Sequence, residues 1–283
     1  MSKQNNYDEF TVKSFGNEWT HFNQSSLSSN ELKNIFDKYF SIFPWDQLPE
    51  NAEGFDMGSG SGRWAKGVAP KVGKLNCIDP SSALEVSKKN LELFPNIEFF
   101  QSTANDKVLP SLSQDFGYSL GVLHHVPDTQ SALNACVDML KPGAPFLLYL
   151  YYRFDNKPLW FRLIWLLSEI PRAIISRMPN KLKPILTTPL AMIVYWPLAR
   201  VSKLLEKFGI SVKHIPLSAY RNLSFYTMRT DSRDRFGTPL EHRFTRVEIS
   251  KMMESAGLRD CIFSDSSPYW VSLGYKSEQI ESK

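Results

Sequence analysis

The chain has 283 residues, 42% hydrophobic, 22% charged and 13% aromatic, an ordinary globular composition with room for one large α/β domain and an insertion. Its net charge of +4 is too small to imply a nucleic-acid partner by itself, yet residues 153–213 hold eleven Lys/Arg and three Asp/Glu, a local +8 that leaves −4 on the rest. Cys77, Cys136 and Cys261 form no C-x-x-C pair, which argues against a disulfide scaffold or a zinc site and reads as three buried thiols with no bound metal.

The opening MSKQNNYDEF has no basic-then-apolar leader, so a cytoplasmic chain is expected. Residues 1–50 read as an N-terminal cover. Phe15–Phe22 is too aromatic for a disordered tail, and Ser28 with Glu31 forms a capping-box pattern ahead of Leu32, Ile35, Phe36, Tyr39 and Phe40 at helical spacing. Pro44 and Pro49 end that helix.

From about residue 53, short apolar runs alternate with helical stretches: strand 53–58, helix 62–70, strand 74–79, helix 81–94 with Ser82 and Glu85 as a second capping box, strand 97–102, strand 116–123, helix 131–140 and strand 146–152. Strand–helix alternation with short connections predicts βαβ units, hence a Rossmann-like α/β sheet with helices on both faces. The pattern resumes at Thr245 and Glu248, which cap a final helix, and ends in two strands. We therefore expect a domain made of 51–152 and 244–277, with 153–243 as a helical insertion acting as a lid or acceptor-binding segment.

Asp56-Met57-Gly58-Ser59-Gly60-Ser61-Gly62-Arg63 ends the first strand and opens a helix. A dinucleotide loop would need glycine where Arg63 stands, so the spacing is G-x-G-x-G with an acid two residues ahead. Asp79 ends the second strand, 21 residues after Gly58, where an acid can accept hydrogen bonds from both ribose hydroxyls. Tight packing of the turn and capping by Asp79 are the bland alternatives. Both would have to hold at once, on the first two strands and in this order.

DMGSGSGRW, CIDPSSALEVSKKN, FGYSLGVLHHVPDT and MLKPGAPFLLYLYY together resemble successive motifs of the class I S-adenosylmethionine-dependent methyltransferases, in particular the bacterial small-molecule type 11 domain. The resemblance covers about 53–152 and again 245–276. It implies S-adenosylmethionine as cofactor, with Asp56, Ser59 and the backbone of Gly58, Gly60 and Gly62 at its methionine end, Asp79 on the ribose, and Pro80 and Ser81 lining the adenine. Where the family usually has an acid followed by Ala after the third strand, this chain has Thr103-Ala104. Gly121 closes the expected cofactor set.

His124 and His125 follow the fourth strand, where ligands sit in open α/β sheets. A histidine there suits deprotonation of a hydroxyl acceptor; the alternative is that the pair only shapes the pocket. An Asn/Asp-Pro-Pro-aromatic motif is absent, which disfavours DNA bases as acceptors.

Within the insertion, residues 157–178 mix Trp160, Phe161, Leu163, Ile164, Trp165 and Leu167 with Arg162, Arg172 and Arg177. Either they pack as a lid, or they form an amphipathic surface that meets an anionic or lipid-linked acceptor at the inner face of a membrane. The longest apolar run, about 189–199, is short of the ~20 residues a span needs and holds two prolines, so no crossing is expected. Tyr220, Arg221, Tyr226, Arg229 and Arg235, with Trp19 and Tyr152, are the candidate acceptor contacts; the acids interleaved among these arginines disfavour RNA. The expected activity is methyl transfer to an oxygen, ahead of nitrogen or carbon, of a small-molecule or glycan/lipid-type acceptor. The rivals are a cofactor-binding protein without methyl transfer and an RNA methyltransferase.

Overall fold

The structure, a computed structural model, describes residues 6–24 and 26–278; the leader reading on residues 1–5 and that stretch of the expected cover lie outside them. The chain divides into two units: Met1–Thr20 with Lys33–Arg153 and Leu240–Lys283, and His21–Leu32 with Phe154–Pro239.

In the first unit, strands β1 (Glu53–Met57), β2 (Lys74–Ile78), β3 (Ile97–Phe100), β4 (Phe116–Leu120), β5 (Pro145–Tyr149), β6 (Leu258–Phe263) and β7 (Val271–Lys276) form one sheet in the order β3-β2-β1-β4-β5-β7-β6. All pairs are parallel except those of β7, which runs antiparallel to both β5 and β6. This is the class I methyltransferase Rossmann-like arrangement. The central strands are buried on both faces and read as continuous apolar runs, as parallel strands between helices must. Gly54 and Gly117 interrupt those runs for a reason visible in the register. Gly54 pairs with Phe116 and Phe55 with Gly117, and a Cβ on either glycine would come within 2.3–2.4 Å of the facing ring. Each aromatic ring lies flat over its neighbour's bare backbone.

Helices α1 (Glu9–His21), α2 (Ser29–Tyr39), α3 (Ala65–Val68), α4 (Ala83–Asn90), α5 (Thr129–Met139) and α10 (Arg246–Ser255) complete the mixed layers, α1 and α2 each reaching into the second unit at one end. Of the three capping boxes read from sequence, only Thr245–Glu248 closes in both directions. Ser28 Oγ does accept from the Glu31 N–H (3.2 Å), but the Glu31 carboxylate turns to Ser224 and Thr227 at the start of the helix Phe225–Gly237. Ser82 makes no side-chain cap at all. Its Oγ is tucked under α1, 2.4 Å from where a Cβ on Gly16 would lie, so tertiary packing has taken the hydroxyl that local pattern assigned to capping. Cys77 and Cys136 are buried as expected, whereas Cys261 is only half-buried.

The second unit is built from α6 (Leu159–Ile175), α7 (Lys183–Leu190), α8 (Trp196–Lys207) and α9 (Phe225–Gly237). It packs a small cluster of buried apolar side chains, Ile175, Tyr195, Ala199, Met228 and Phe236. Helix α9 contributes polar groups to the interior, with Thr230, Ser232 and Arg233 all buried. A π-helical turn over Ala191–Tyr195 joins α7 to α8, so that Lys183–Lys207 is one helix of 25 residues, long and apolar enough by composition to cross a membrane. This corrects the expectation that its prolines break the run. Of the two prolines in that run, Pro189 lies inside α7, and the wider π turn precedes Pro197 and gives its ring room against the preceding carbonyls.

Candidate active site

The carboxyl ends of β1, β2 and β4 and the loop after β3 surround a cleft in the first unit. It is lined by Met57, Gly58, Pro80, Thr103, Ala104, Val122 and His125, and covered by Asn6, Tyr7, Asp8 and Val12. The cover is fastened at both sides: Asn6 Nδ2 donates to Asn105 Oδ1 (2.9 Å) and to the Asp128 carbonyl (2.8 Å), and the Asp128 N–H donates back to Asn6 Oδ1 (2.8 Å).

Asp56 lies at the end of β1 with no solvent exposure. Neither of its carboxylate oxygens has a hydrogen bond of normal geometry, and nor has the Tyr118 hydroxyl beside it. Burial pushes the Asp56 carboxyl up to about 8, tempered by Tyr118. Four N–H groups of the glycine loop are committed elsewhere. Gly58 and Ser59 donate to the Ile78 carbonyl (2.7 and 3.2 Å), Gly60 to Asp79 Oδ2 (2.9 Å) and Gly62 to the Ser59 carbonyl (2.8 Å). A pyrophosphate needs such N–H groups turned outward over a helix start, and the helix that follows, α3, has four residues. The loop offers a cation a buried carboxylate instead. This donor set fits the sulfonium and ammonium of S-adenosylmethionine and does not fit a dinucleotide.

Gly60 has φ +53°, and a Cβ there would lie 3.2 Å from Trp19 Nε1; the indole of α1 therefore rests close on the loop at a position that favours glycine. Asp79 is buried, and its Oδ1 accepts from the Ser81 N–H (2.8 Å) and hydroxyl (2.6 Å). Burial raises its pKa, opposed by Ser81 and Gly60. Gly121, φ +81°, ends β4 with its N–H on the Tyr149 carbonyl (3.0 Å).

The two histidines have opposite tautomers. His125 Nδ1 is 2.7 Å from the Leu240 carbonyl, which can only accept, so Nδ1 carries the proton and the lone pair is on Nε2. His124 Nδ1 accepts from the Tyr151 N–H (3.4 Å), so its proton is on Nε2. Burial, then His125, Arg243 and His242, hold the His124 pKa well below the usual imidazole range. His124 stacks on the Tyr151 ring (3.9 Å between centroids), and Phe15 of α1 meets His125 edge-on at 4.9 Å.

Tyr152 packs with Tyr269 and Trp270 against the sheet core. The pleat explains it: Leu148, Leu150 and Tyr152 share one face, and the tyrosine beside the histidines is Tyr151, with Tyr149 6.0 Å from it. Counting parity outward from the buried leucines would have found them in the sequence. The cleft cover, Asn6 to Val12, was signalled only by the aromatic density that follows it.

The remaining acceptor candidates lie in the second unit. Arg221 is held bidentate by Glu206 (2.8 Å twice), and Arg235 is ion-paired with Glu169. Tyr220 packs edge-on to Tyr195 (5.4 Å). The Arg229 guanidinium lies 4.9 Å over the Phe22 ring, and its Nε has no hydrogen-bond partner. Tyr226 Oη accepts from the Gln24 N–H (3.0 Å).

A methyltransferase-domain model matches residues 55–148. The ubiquinone biosynthesis O-methyltransferase of Salmonella enteritidis PT4 is 28% identical over 129 residues, 44% of this chain and 50% of that protein; the chain thus spans about half the length of the curated relatives it matches. Among solved structures, an O-methyltransferase family protein from Burkholderia thailandensis superposes with a TM-score of 0.54 at 12% identity, covering 92% of this chain and 60% of that one. The CurJ carbon methyltransferase gives 0.52 at 13% identity, covering 94% and 60%. At that identity the two structures show the fold. Fold, cleft and family match agree: the chain carries a class I S-adenosylmethionine-dependent methyltransferase domain, centred on residues 55–148.

Proposed function

We propose that the chain transfers a methyl group to an oxygen of a small-molecule or lipid/glycan-type acceptor, with 153–243 as the acceptor-side insertion. The observation that carries this reading is His125, a cleft-lining imidazole whose Nδ1–H is fixed on the Leu240 carbonyl and whose Nε2 is therefore the basic nitrogen. A hydroxyl acceptor must lose a proton as it is methylated; nitrogen and carbon acceptors place other demands on the site. When bound, S-adenosylmethionine supplies a methyl carbon already activated by its sulfonium. Asp56 and the loop hold the cofactor's cationic end, Asp79 its ribose, Pro80, Ser81, Thr103 and Ala104 its adenine, and His125 takes the acceptor proton. His124, protonated on Nε2 and neutral, is a donor and a wall. Arg229 is the second-unit candidate for an acceptor carboxylate or phosphate. The O-methyltransferase name of the Salmonella relative supports oxygen; the fold does not choose, since a carbon methyltransferase shares it.

The test is transfer from labelled cofactor into a fractionated cell extract. We expect label in the lipid or small-molecule fraction, and His125→Ala should cut turnover by roughly 10²–10⁴ with cofactor affinity little changed. Label in RNA, or tight cofactor binding with no label anywhere, would replace this reading by one of its rivals.

A further inference from the structure

The second unit is arranged with its polarity reversed. Of the 25 large apolar side chains left exposed among the described residues, 19 fall between Leu159 and Ile210. The helix that this unit buries most fully is α9, which is polar. In a water-soluble helical unit the apolar stripes face inward, and apolar patches of this extent mark an interaction site. On α6 the exposed side includes Leu163, Leu167, Ile170 and Ile174; on the long helix it includes Ile185, Met192, Ile193 and Trp196.

The buried stripe of the long helix is Lys183, Thr187, Ala191, Tyr195, Ala199 and Ser202, one residue every three or four. It is tied down by polar bonds. Lys183 Nζ donates to the Gly237 carbonyl (2.7 Å), and Ser232 Oγ donates to the Thr187 carbonyl (2.9 Å). One side of the helix is thus committed to protein, and only 28% of its apolar window is buried. A crossing helix would have to bring that polar stripe and Lys183 into hydrocarbon; a helix lying in the interface immerses only its outer face.

Charge selects the occupant. Arg177, Lys181, Lys203, Lys207 and Lys213 are all exposed in the segment that bears the apolar face, and its local balance is +8 on a chain of +4. Arg172 and Lys183, which the sequence alone would group with them, are buried and structural. We propose that this face docks the chain in the plane of an anionic phospholipid surface. Apolar side chains, with Trp160 and Trp196, enter the headgroup boundary, and the exposed cations meet lipid phosphates. Docking belongs to the second unit and does not depend on methyl transfer.

The full chain is mixed with phosphatidylcholine vesicles and with vesicles containing about a third phosphatidylglycerol. Co-sedimentation with the anionic vesicles only, release as salt screens the attraction, and quenching of tryptophan by brominated acyl chains are expected. Leu163→Glu/Leu167→Glu should abolish binding. Lys203→Gln/Lys207→Gln should weaken it, by roughly fivefold per cation removed. All four positions are exposed, and cofactor affinity measured on the same preparations reports that the first unit is intact. Absence of binding to anionic vesicles at low salt overturns the proposal. So does light scattering that shows a dimer dissolved by Leu163→Glu, which would assign the face to a second copy of the chain.

Discussion

Asp56 is a carboxyl with no solvent exposure. A carboxylate buried without hydrogen bonds is costly, and its pKa of about 8 means that the cofactor-free protein holds it protonated at neutrality. A bound cation favours the ionised form. Cofactor binding near neutral pH should therefore release a proton, and affinity should climb as pH rises toward about 8 and then level. Calorimetry in two buffers of different ionisation heat measures the proton directly. Asp56→Asn should weaken binding and flatten its pH dependence; a wild-type affinity independent of pH would remove Asp56 from the cation site. The sign for stability follows from the same shift. The folded state keeps a proton that the unfolded chain gives up near pH 4, so the cofactor-free fold should lose stability as pH rises from there to about 8, with no further change above. The sequence already pointed to Asp56 by its place two residues before the first glycine. What it could not supply was the commitment of the loop's N–H groups to Ile78, Asp79 and Ser59. Those bonds take from the loop N–H groups that an anion would need.

At the scale of elements, β1, β2 and β4 were legible because each is a short, mostly apolar run with Gly or Asp at its edge. The helix starts were less so. Three S-x-x-E or T-x-x-E patterns stand ahead of helical stretches, and of these only Thr245–Glu248 forms both reciprocal bonds. Ser82 is diverted by Gly16 of α1, and Glu31 by the first turn of α9. These diversions are long-range, so no local pattern encodes them. The difference is measurable. Thr245→Ala should cost about 1 kcal/mol of stability, whereas Ser82→Ala, which loses no cap, should fall within about half a kcal/mol of the parent. Denaturant midpoints at constant slope give both numbers; equal losses would contradict the capping geometry. The π turn before Pro197 was invisible for a similar reason. Proline reads as a helix stop unless the preceding turn widens, and the composition of AMIVY does not announce that it will.

At the scale of the whole molecule, the residues assigned to the cofactor belong to one unit. Asp56, the glycine loop, Asp79, Thr103, Ala104 and Gly121 all fall within Lys33–Arg153, and the cleft cover falls within the N-terminal part of that unit. The second unit has its own core, small and partly polar, around Met228 and Phe236. A ligand stabilises only the folded structure that contains its site, by an amount that reaches about 2.7 kcal/mol at a hundred times its dissociation constant. Two units with separate cores that unfold as separate steps give two calorimetric transitions rather than one. S-adenosylmethionine or its demethylated product should then raise the transition of the first unit and leave the other where it was. Nicotinamide dinucleotides should move neither, because four N–H groups of the glycine loop are already spent. Deleting the interaction at Asp56 by Asp56→Asn should shrink the cofactor-induced rise without altering the second transition, which serves as the internal control. A rise confined to the second transition, or one produced equally by a dinucleotide, would contradict the assignment of the cofactor to the first unit's cleft.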